Sequence, residues 1–365
     1  MRILFTRFPL ESAYGGAEVQ TLSLMRGLQE RGHDVSFLGS CPVLLKESVK
    51  YEIPSTPLEI GIPPVTKWGA VSFLWRQRTI KRQFAQALQA TSYKLQAVVM
   101  LSMSEKLLLT PIALKQGIAV YWLEHDRIGR WLTWNPWLPR MRRLSREAIT
   151  VCVSTLSKDL YVQLGWPAEN TVDIPNGIDM QRFTKCERIP RESGVLRVGC
   201  VARLTQDKGV DLLVRAIAQL PETQLTIIGT GRDEDCVRAL ISELHLEDRV
   251  NLQPSHPDLG SFYCTMDVLA LPSRQHDPFG LVAAEAMALG TPVIVTDACG
   301  IAGYLGTESF IVPANSQEAL AEAMRKLCDP MLRTHLSEAA KRTAHEKFSL
   351  PKMLDAYEKL LMNDR

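Results

Sequence analysis

The chain lacks long hydrophobic runs, and its eight cysteines never form a Cys-x-x-Cys pair. No apolar stretch approaches the roughly 20 residues that a membrane-spanning helix needs. The early apolar segment Arg2–Arg7 is too short and too charged for a signal peptide, and it has the pattern of a first strand. Scattered cysteines argue against a disulfide framework or a zinc site and favour a reducing compartment. The sequence therefore predicts a cytoplasmic protein.

Two further signatures are absent. The spacing Gly-x-Gly-x-x-Gly, typical of nicotinamide dinucleotide sites, does not occur. No Asp-x-Asp lies in a loop suited to a metal, since Asp233 and Asp235 fall in the first turn of a predicted helix. We therefore predict neither a nicotinamide cofactor nor a bound metal.

The charge is small in total but unevenly distributed. Residues 1–190 carry a balance of +8 and the remainder −6, which sum to the net charge of +2. Tryptophans accompany the cations in residues 67–82 and 127–146. Such stretches suit a membrane interface with anionic lipid, a groove for a phosphorylated acceptor, or a solvated helix face with inward tryptophans. No nucleic-acid-binding motif accompanies them.

Strand and helix patterns alternate almost throughout the 365 residues, which predicts parallel sheets covered by helices. The predicted strands are Arg2–Arg7, Asp34–Leu38, Ala97–Leu101, Ala119–Leu123, Ile149–Val153, Leu196–Val201, Gln224–Ile228, Val250–Gln253, Asp267–Pro272, Pro292–Val295 and Phe310–Val312. Between the two halves, Thr184–Gly194 is polar and contains a proline and a glycine, a composition typical of a linker.

The most informative segment is residues 273–295. It places two carboxylates, Asp277 and Glu285, on either side of the turn Pro278-Phe279-Gly280, in a strand–loop–helix–strand pattern. A loop of this kind in a parallel sheet opens the crevice where ligands bind. The amides at the start of the following helix can face an anion.

Two other loops carry groups suited to phosphate. Arg203 and Lys208 follow the strand Leu196–Val201, and fixed cations there would stabilise a departing anion more in the transition state than in the ground state. Gly15 and Gly16 follow the first strand, where glycines allow the backbone to approach a phosphate closely.

These motifs together resemble glycosyltransferase family 4. The carboxylate, seven residues and Glu around Pro-Phe-Gly-Leu are similar to its signature, and Arg203-Leu204 with Lys208-Gly209 is similar to its diphosphate motif. The resemblance implies an α/β fold of GT-B type, with two Rossmann-like doubly wound domains facing across a cleft. Residues 1–185 would bind the acceptor, with a final helix, 348–365, packing back on them. Residues 195–347 would bind the nucleotide sugar.

The resemblance also implies residue roles. Arg203 and Lys208 would hold the diphosphate, Asp277 a sugar hydroxyl, Glu285 the ribose and His125 the donor sugar. The implied catalytic set is His125, Arg203, Lys208 and Asp277. The implied donor-binding set is Gly15, Gly16, Gly229, Gln253, Phe279, Gly280, Leu281, Val282 and Glu285.

The resulting hypothesis is a retaining, metal-independent glycosyltransferase. It would move a sugar from a UDP- or GDP-linked donor to a glycan or lipid-linked acceptor in bacterial surface polysaccharide or glycolipid synthesis, with peripheral contact at the inner face of the membrane. The alternatives are a catalytically silent GT-B scaffold and another GT-B sugar-nucleotide enzyme, such as an epimerase. Asp277 stands where the family usually has Glu, which leaves the donor sugar open.

Overall fold

The computed structural model describes residues 1–10, 15–90, 94–183 and 194–363, and it divides into two compact units. The first unit comprises Met1–Ile174 with Met353–Arg365, and the second comprises Pro175–Lys352. The division therefore falls after Ile174 and Lys352, whereas we predicted domain limits at 185, 195 and 348. Of the predicted linker, only Gly194 lies within the described residues.

A parallel seven-stranded sheet forms the centre of the first unit. Its strands are β1 (Arg2–Arg7), β2 (Asp34–Gly39), β3 (Ser55–Pro57), β4 (Ala97–Met100), β5 (Ala119–Glu124), β6 (Ile149–Cys152) and β7 (Thr171–Asp173). Their order is β3-β2-β1-β4-β5-β6-β7. Prediction missed β3 and β7, because three residues are too few to show a period. The edge position of β3 tolerates Pro57, since proline cannot donate to a ladder.

Helices connect these strands and bury their apolar sides against the sheet. They are α1 (Gly16–Glu30), α2 (Pro42–Lys50), α3 (Lys67–Ala90), α4 (Met103–Leu108), α5 (Thr110–Lys115), α6 (Arg130–Thr133), α7 (Leu138–Leu144) and α8 (Thr155–Gln163). All four residues of β4 are buried, as expected for a central parallel strand covered on both faces. Trp122 and Tyr161 are among the largest fully buried side chains.

The second unit repeats this architecture with six parallel strands. They are β8 (Leu196–Val201), β9 (Thr223–Ile228), β10 (Val250–Gln253), β11 (Val268–Leu271), β12 (Val293–Thr296) and β13 (Phe310–Val312), in the order β10-β9-β8-β11-β12-β13. All six were predicted to within a residue, because their apolar runs are bounded by clear turn residues. The helices are α9 (Val210–Ala218), α10 (Glu234–Glu243), α11 (Leu259–Thr265), α12 (Leu281–Ala288), α13 (Gln317–Lys326), α14 (Pro330–Lys347) and α15 (Leu350–Asn363).

The end of α15 belongs to the first unit and contacts α1. An added Cβ at Gly27 would lie 2.5 Å from Cδ1 of Leu354, so glycine leaves the space that this leucine occupies. Just beyond α1, His33 Nε2 lies 2.9 Å from the Glu358 carboxylate, which also accepts from Arg31. These contacts attach the final helix to α1.

The spacing of the cysteines argued against a disulfide framework, yet Cys264 is disulfide-bonded. Cys152, Cys200, Cys236, Cys299 and Cys328 are free thiols. Sequence spacing cannot reveal a bond between cysteines that only the fold brings together.

None of the helices in the described part of the chain is long and apolar enough to cross a bilayer.

Candidate functional site

The topology of the second sheet brings two predicted loops together. Strands β8 and β11 are parallel neighbours, although β9 and β10 separate them in sequence. Their following loops therefore start side by side at the carboxyl edge of the sheet, at the point where strand order reverses. Ligands bind at this point in open parallel sheets. The loop after β8 carries Arg203 and Lys208, and the loop after β11 carries Asp277.

Lys208 and Asp277 form an ion pair between these loops. Nζ of Lys208 lies 2.6 Å from Oδ2 of Asp277, and both side chains are largely shielded from solvent. Oδ2 also accepts from the Ser273 hydroxyl at 3.2 Å. The main chain of Asp277 is fixed as well, since its amide donates to the Ala298 carbonyl and its own carbonyl accepts from Gly300. The fold thus holds a cation and a carboxylate in one defined place.

Arg203 differs from Lys208 in having no partner. Its side chain is exposed and makes no hydrogen bond or ion pair with any residue that the structure describes. This guanidinium, on the loop between β8 and α9, remains available for an anionic ligand, which it can bind through two parallel hydrogen bonds.

Glycines shape the loop that carries these cations. Gly209 has φ +64°, and an added Cβ would lie 2.1 Å from the Pro272 carbonyl oxygen, so this position needs both a left-handed backbone and free space. Gly229 follows β9, and an added Cβ there would lie 1.9 Å from the Ala202 carbonyl oxygen. Its amide donates to the Gln253 carbonyl. Gly229 and Gln253 thus support the loop after β8; their predicted place beside the base stays a prediction.

Glu285 lies in α12, is half-buried and contacts Tyr263 of α11. The Tyr263 hydroxyl donates to Oε2 of Glu285 at 2.8 Å, while no described residue hydrogen-bonds to Oε1. Burial raises the pKa of this carboxyl, and the Tyr263 hydrogen bond and the nearby Arg182 charge oppose that rise. One oxygen is therefore held by the protein and the other can accept from a ligand hydroxyl.

The predicted residues between the two carboxylates contribute backbone groups. The Phe279 ring is buried and packs edge-on against Phe348, with ring centroids 5.6 Å apart, so it cannot contact a ligand. Gly280, with φ +93°, is the N-cap of α12. The amides of Leu281 and Val282 then lie in the first helical turn, where an N–H has no partner within the helix.

The predicted residues of the first unit lie after β1 and β5. Gly15 is the N-cap of α1 in extended conformation, and Gly16 is the first residue of that helix. The preceding Tyr14 lies outside the described residues. His125 follows β5 directly, and Nε2 of its imidazole is buried without a hydrogen-bond partner in the described structure. Burial, helped by the charges of Arg7 and Lys106, lowers the pKa of His125 to about 3, which keeps the ring neutral.

Sequence reasoning missed a buried ionic network beside His125. Lys106 lies 2.8 Å from Glu124 Oε1, and the Tyr161 hydroxyl donates to Oε2 at 2.8 Å. Lys106 also donates to the carbonyl of Leu123, and so fixes the end of β5 from which His125 projects. Charged residues within apolar segments were the available signal, since such residues are rarely buried unless paired.

Tyr263 and Ser273 were also missed. Ser273 is the first residue of the segment 273–295 and could have been included, whereas Tyr263 lies 22 residues before its partner and nothing in the pattern links them. A cavity of about 590 Å³ lies between α9 and α10, but none of the predicted site residues lines it. Within the described residues, no cluster of three His, Cys, Asp or Glu is arranged to hold a metal ion.

Comparison with known families decides the relationship. Residues 14–182 match the family described as Glycosyltransferase Family 4, and residues 184–343 match the one described as Glycosyl transferases group 1. The chain belongs to glycosyltransferase family 4. Both matches follow the order of the predicted motifs along the sequence, and together they span nearly the whole chain.

Over the aligned segments, curated relatives are about a third identical to this chain. The lipopolysaccharide core biosynthesis glycosyltransferase LpsE of Rhizobium meliloti (strain 1021) is 31% identical over 218 residues, which is 58% of this chain and 63% of that protein. A D-inositol 3-phosphate glycosyltransferase of Corynebacterium jeikeium (strain K411) is 35% identical over 212 residues, 51% of this chain and 50% of that protein. The chain thus spans about half to two thirds of the length of these relatives.

A solved structure shows the same fold. Anabaena HepE, crystallised in complex with UDP, superposes with a TM-score of 0.82 at 20% identity over 100% of both chains. The predicted fold class, GT-B with two Rossmann-like parallel-sheet domains, is confirmed.

Proposed function

We propose that this protein is a retaining, metal-independent glycosyltransferase that moves a sugar from a nucleoside-diphosphate sugar to a glycan or lipid-linked acceptor. The observation that carries the proposal is the Lys208–Asp277 ion pair, 2.6 Å long, at the switch point of the second sheet. Exposed Arg203 lies on the same loop as Lys208, and Glu285 lies in the helix that follows Asp277. Arg203 and Lys208 suit a diphosphate, Asp277 suits a sugar hydroxyl and Glu285 suits a ribose hydroxyl.

The two cations suit a departing diphosphate. Negative charge grows on this group as the glycosidic bond breaks, so Arg203 and Lys208 would stabilise the transition state more than the bound donor. Arg203 is unpaired within the described structure, and Lys208 is paired with the Asp277 carboxylate. Two positive charges in place before the reaction supply the neutralisation that a divalent cation would otherwise give, and we propose that no metal is needed.

The two carboxylates suit hydroxyl groups. Asp277 is engaged by Lys208 and Ser273, which favours a role in accepting a hydrogen bond from a sugar hydroxyl over covalent attack. The acceptor would then attack from the face that the diphosphate leaves, and the configuration would be retained. Oε1 of Glu285 would accept from the ribose. His125, as a neutral imidazole, is proposed to hydrogen-bond the donor sugar.

The comparisons favour particular substrates. HepE has been crystallised with UDP, and LpsE is named for lipopolysaccharide core biosynthesis. We therefore propose a UDP-linked donor ahead of a GDP-linked one, and an acceptor in bacterial surface polysaccharide synthesis. The location that follows is the cytoplasmic face of the membrane, where sugar nucleotides and lipid-linked acceptors meet.

Replacement of Lys208 tests the electrostatic core of the proposal. Sugar transfer or donor hydrolysis, measured over a panel of UDP- and GDP-sugars, should fall about a hundred- to a thousandfold in Lys208→Ala, as for loss of a charge-stabilising donor. Lys326→Ala removes an exposed lysine of the same unit and should keep wild-type turnover. Near-wild-type transfer by Lys208→Ala would refute the assigned role.

A binding measurement separates an enzyme from a silent scaffold. Millimolar UDP acting on a site of micromolar affinity should stabilise the protein by about 4 kcal/mol, visible as a rise in melting temperature. No rise with UDP or GDP would argue against a sugar-nucleotide enzyme.

A further inference from the structure

Helix α3 has an unusual second apolar side. Its inward side buries Phe73, Ile80 and Phe84 in the core of the first unit. On the opposite side, Trp68 and Trp75 are 84% and 76% exposed. Seven residues separate the two tryptophans, so they project from one side of the helix two turns apart. Packing in the core explains the apolar residues on the inward side of α3. It does not explain the exposed tryptophans on the opposite side.

Cations continue the same outward stripe. Arg78 lies seven residues after Val71, which is also exposed, and Arg82 lies seven residues after Trp75. We call Trp68, Val71, Trp75, Arg78 and Arg82 the outer face of α3. Within the described structure no carboxylate lies within ion-pair distance of Arg78 or Arg82. The outer face therefore presents aromatic rings and unneutralised positive charge together.

The surrounding sequence keeps acidic groups away. No Asp or Glu occurs from Ile60 to Ser104, or from Arg127 to Arg146. The second segment is tied to the first, because the side chain of Asn135 donates to the Pro64 carbonyl at 2.6 Å. The tied segment adds Trp134, which is 80% exposed and lies against the Arg130 guanidinium. The positive charge of this surface therefore favours an anionic partner. Its exposed tryptophan rings favour a partner with an apolar interior.

We infer that the outer face of α3 binds the surface of an anionic lipid bilayer. Trp68 and Trp75 enter the boundary between headgroups and acyl chains, and Arg78 and Arg82 pair with lipid phosphates. Indole suits this boundary because its ring is apolar and its N–H is polar. Polybasic helices gain further affinity from the negative potential of anionic lipid.

A second copy of the chain fits this surface poorly. Two-fold pairing through the outer face would place each patch against itself. Arg78 and Arg82 would then face their own copies, with no acidic residue in α3 to neutralise them. An anionic membrane has no such conflict.

Co-sedimentation of the full chain with vesicles tests this inference. We expect binding to vesicles of phosphatidylcholine with phosphatidylglycerol and much weaker binding to phosphatidylcholine alone, with affinity falling as salt is raised. Trp68→Ala combined with Trp75→Ala should lower affinity for the anionic vesicles about tenfold or more. The matched control is Met331→Ala, which removes an 83% exposed apolar side chain of the second unit and should leave binding unchanged.

A charge variant tests the same surface without removing aromatic area. Arg78→Gln with Arg82→Gln should weaken anionic-vesicle binding about 25-fold, since each cation near such a surface contributes about fivefold. Arg325→Gln with Lys326→Gln removes two exposed cations of the second unit and should have little effect.

Two results would overturn the inference: failure of the wild-type chain to bind anionic vesicles, or equal binding by the wild type and both outer-face variants. Conversion of a wild-type dimer into monomers by the tryptophan substitutions would show that a second copy covers the face instead. None of these measurements needs a sugar nucleotide, so they stand or fall independently of the proposed activity.

Discussion

At the scale of single residues, the hydrogen bond between Tyr263 and Glu285 affects the pKa of the Glu285 carboxyl. Its carboxyl is buried, which raises the pKa, and the Tyr263 hydroxyl stabilises the charged form by donating to Oε2. A ribose hydroxyl needs the carboxylate as acceptor. The ionisation of one side chain should therefore control donor binding.

We predict that the KM for the donor rises as pH falls through the raised pKa of Glu285. The sign follows because a raised pKa leaves the carboxyl protonated at a pH where an ordinary glutamate is still charged. Tyr263→Phe removes a hydrogen bond to the carboxylate, so the rise in KM should begin at higher pH and the KM near neutral pH should increase about tenfold. KM measured against pH for both proteins checks this expectation.

Two substitutions serve as controls for this prediction: one at a second tyrosine, and one that replaces the Glu285 carboxyl with a neutral amide. Tyr357→Phe alters a buried tyrosine of the first unit and should leave the profile unchanged. Glu285→Gln should abolish this pH dependence. The same pH profile in wild type and Glu285→Gln would mean that another group titrates.

At the scale of elements, loop shape depends on glycines at close approaches. Gly209 follows the short 3-10 turn Gln206–Lys208 and starts α9, in contact with Pro272 at the end of β11. The two loops that carry Lys208 and Asp277 thus meet through a backbone contact that leaves no room for a side chain.

We predict that Gly209→Ala destabilises the protein more than Gly32→Ala does. Both glycines have positive φ, +64° and +85°, so each alanine should cost about 1–2 kcal/mol of backbone strain. Gly32 has nothing within 4 Å of an added Cβ, whereas at Gly209 the Pro272 oxygen lies 2.1 Å away. The loss at Gly209 should be at least about twice that at Gly32. Urea unfolding followed by circular dichroism measures both, and equal losses would contradict the close approach.

At the scale of the whole molecule, the chain leaves the first unit after Ile174 and returns to it at Met353. Residues remote in sequence therefore stabilise the first unit. Leu354 is buried against Gly27, and Glu358 lies beside Arg31 and His33.

We predict that Leu354→Ala lowers the free energy of unfolding of the first unit by about 2–5 kcal/mol, the usual effect of a cavity left by a buried leucine. All seven tryptophans lie between residues 68 and 166, so intrinsic fluorescence reports on this unit. Met362→Ala, on an exposed part of the same helix, should change stability by less than about 0.5 kcal/mol. An unshifted fluorescence transition in Leu354→Ala would show that α15 does not stabilise this unit.

Local sequence determined most of the secondary structure and the composition of the candidate site. Apolar runs of strand length bounded by turn residues predicted β1 and all six strands of the second sheet, because burial on both faces leaves a continuous pattern. The resemblance of the motifs supplied Arg203, Lys208, Asp277 and Glu285 before any geometry was known. The edge strands β3 and β7 were not predicted, because a segment of three residues is too short to show a hydrophobic period.

Tertiary structure alone decided which groups meet. The 2.6 Å pair of Lys208 and Asp277 spans 69 residues, and its two loops adjoin only because β11 pairs with β8 across the intervening strands. The Tyr263–Glu285 hydrogen bond and the Lys106–Glu124–Tyr161 network likewise join residues that are distant in sequence, and no local pattern encodes them. Propensity and periodicity act over a few neighbouring residues, whereas hydrogen bonds and ion pairs depend on distances that only the folded chain sets.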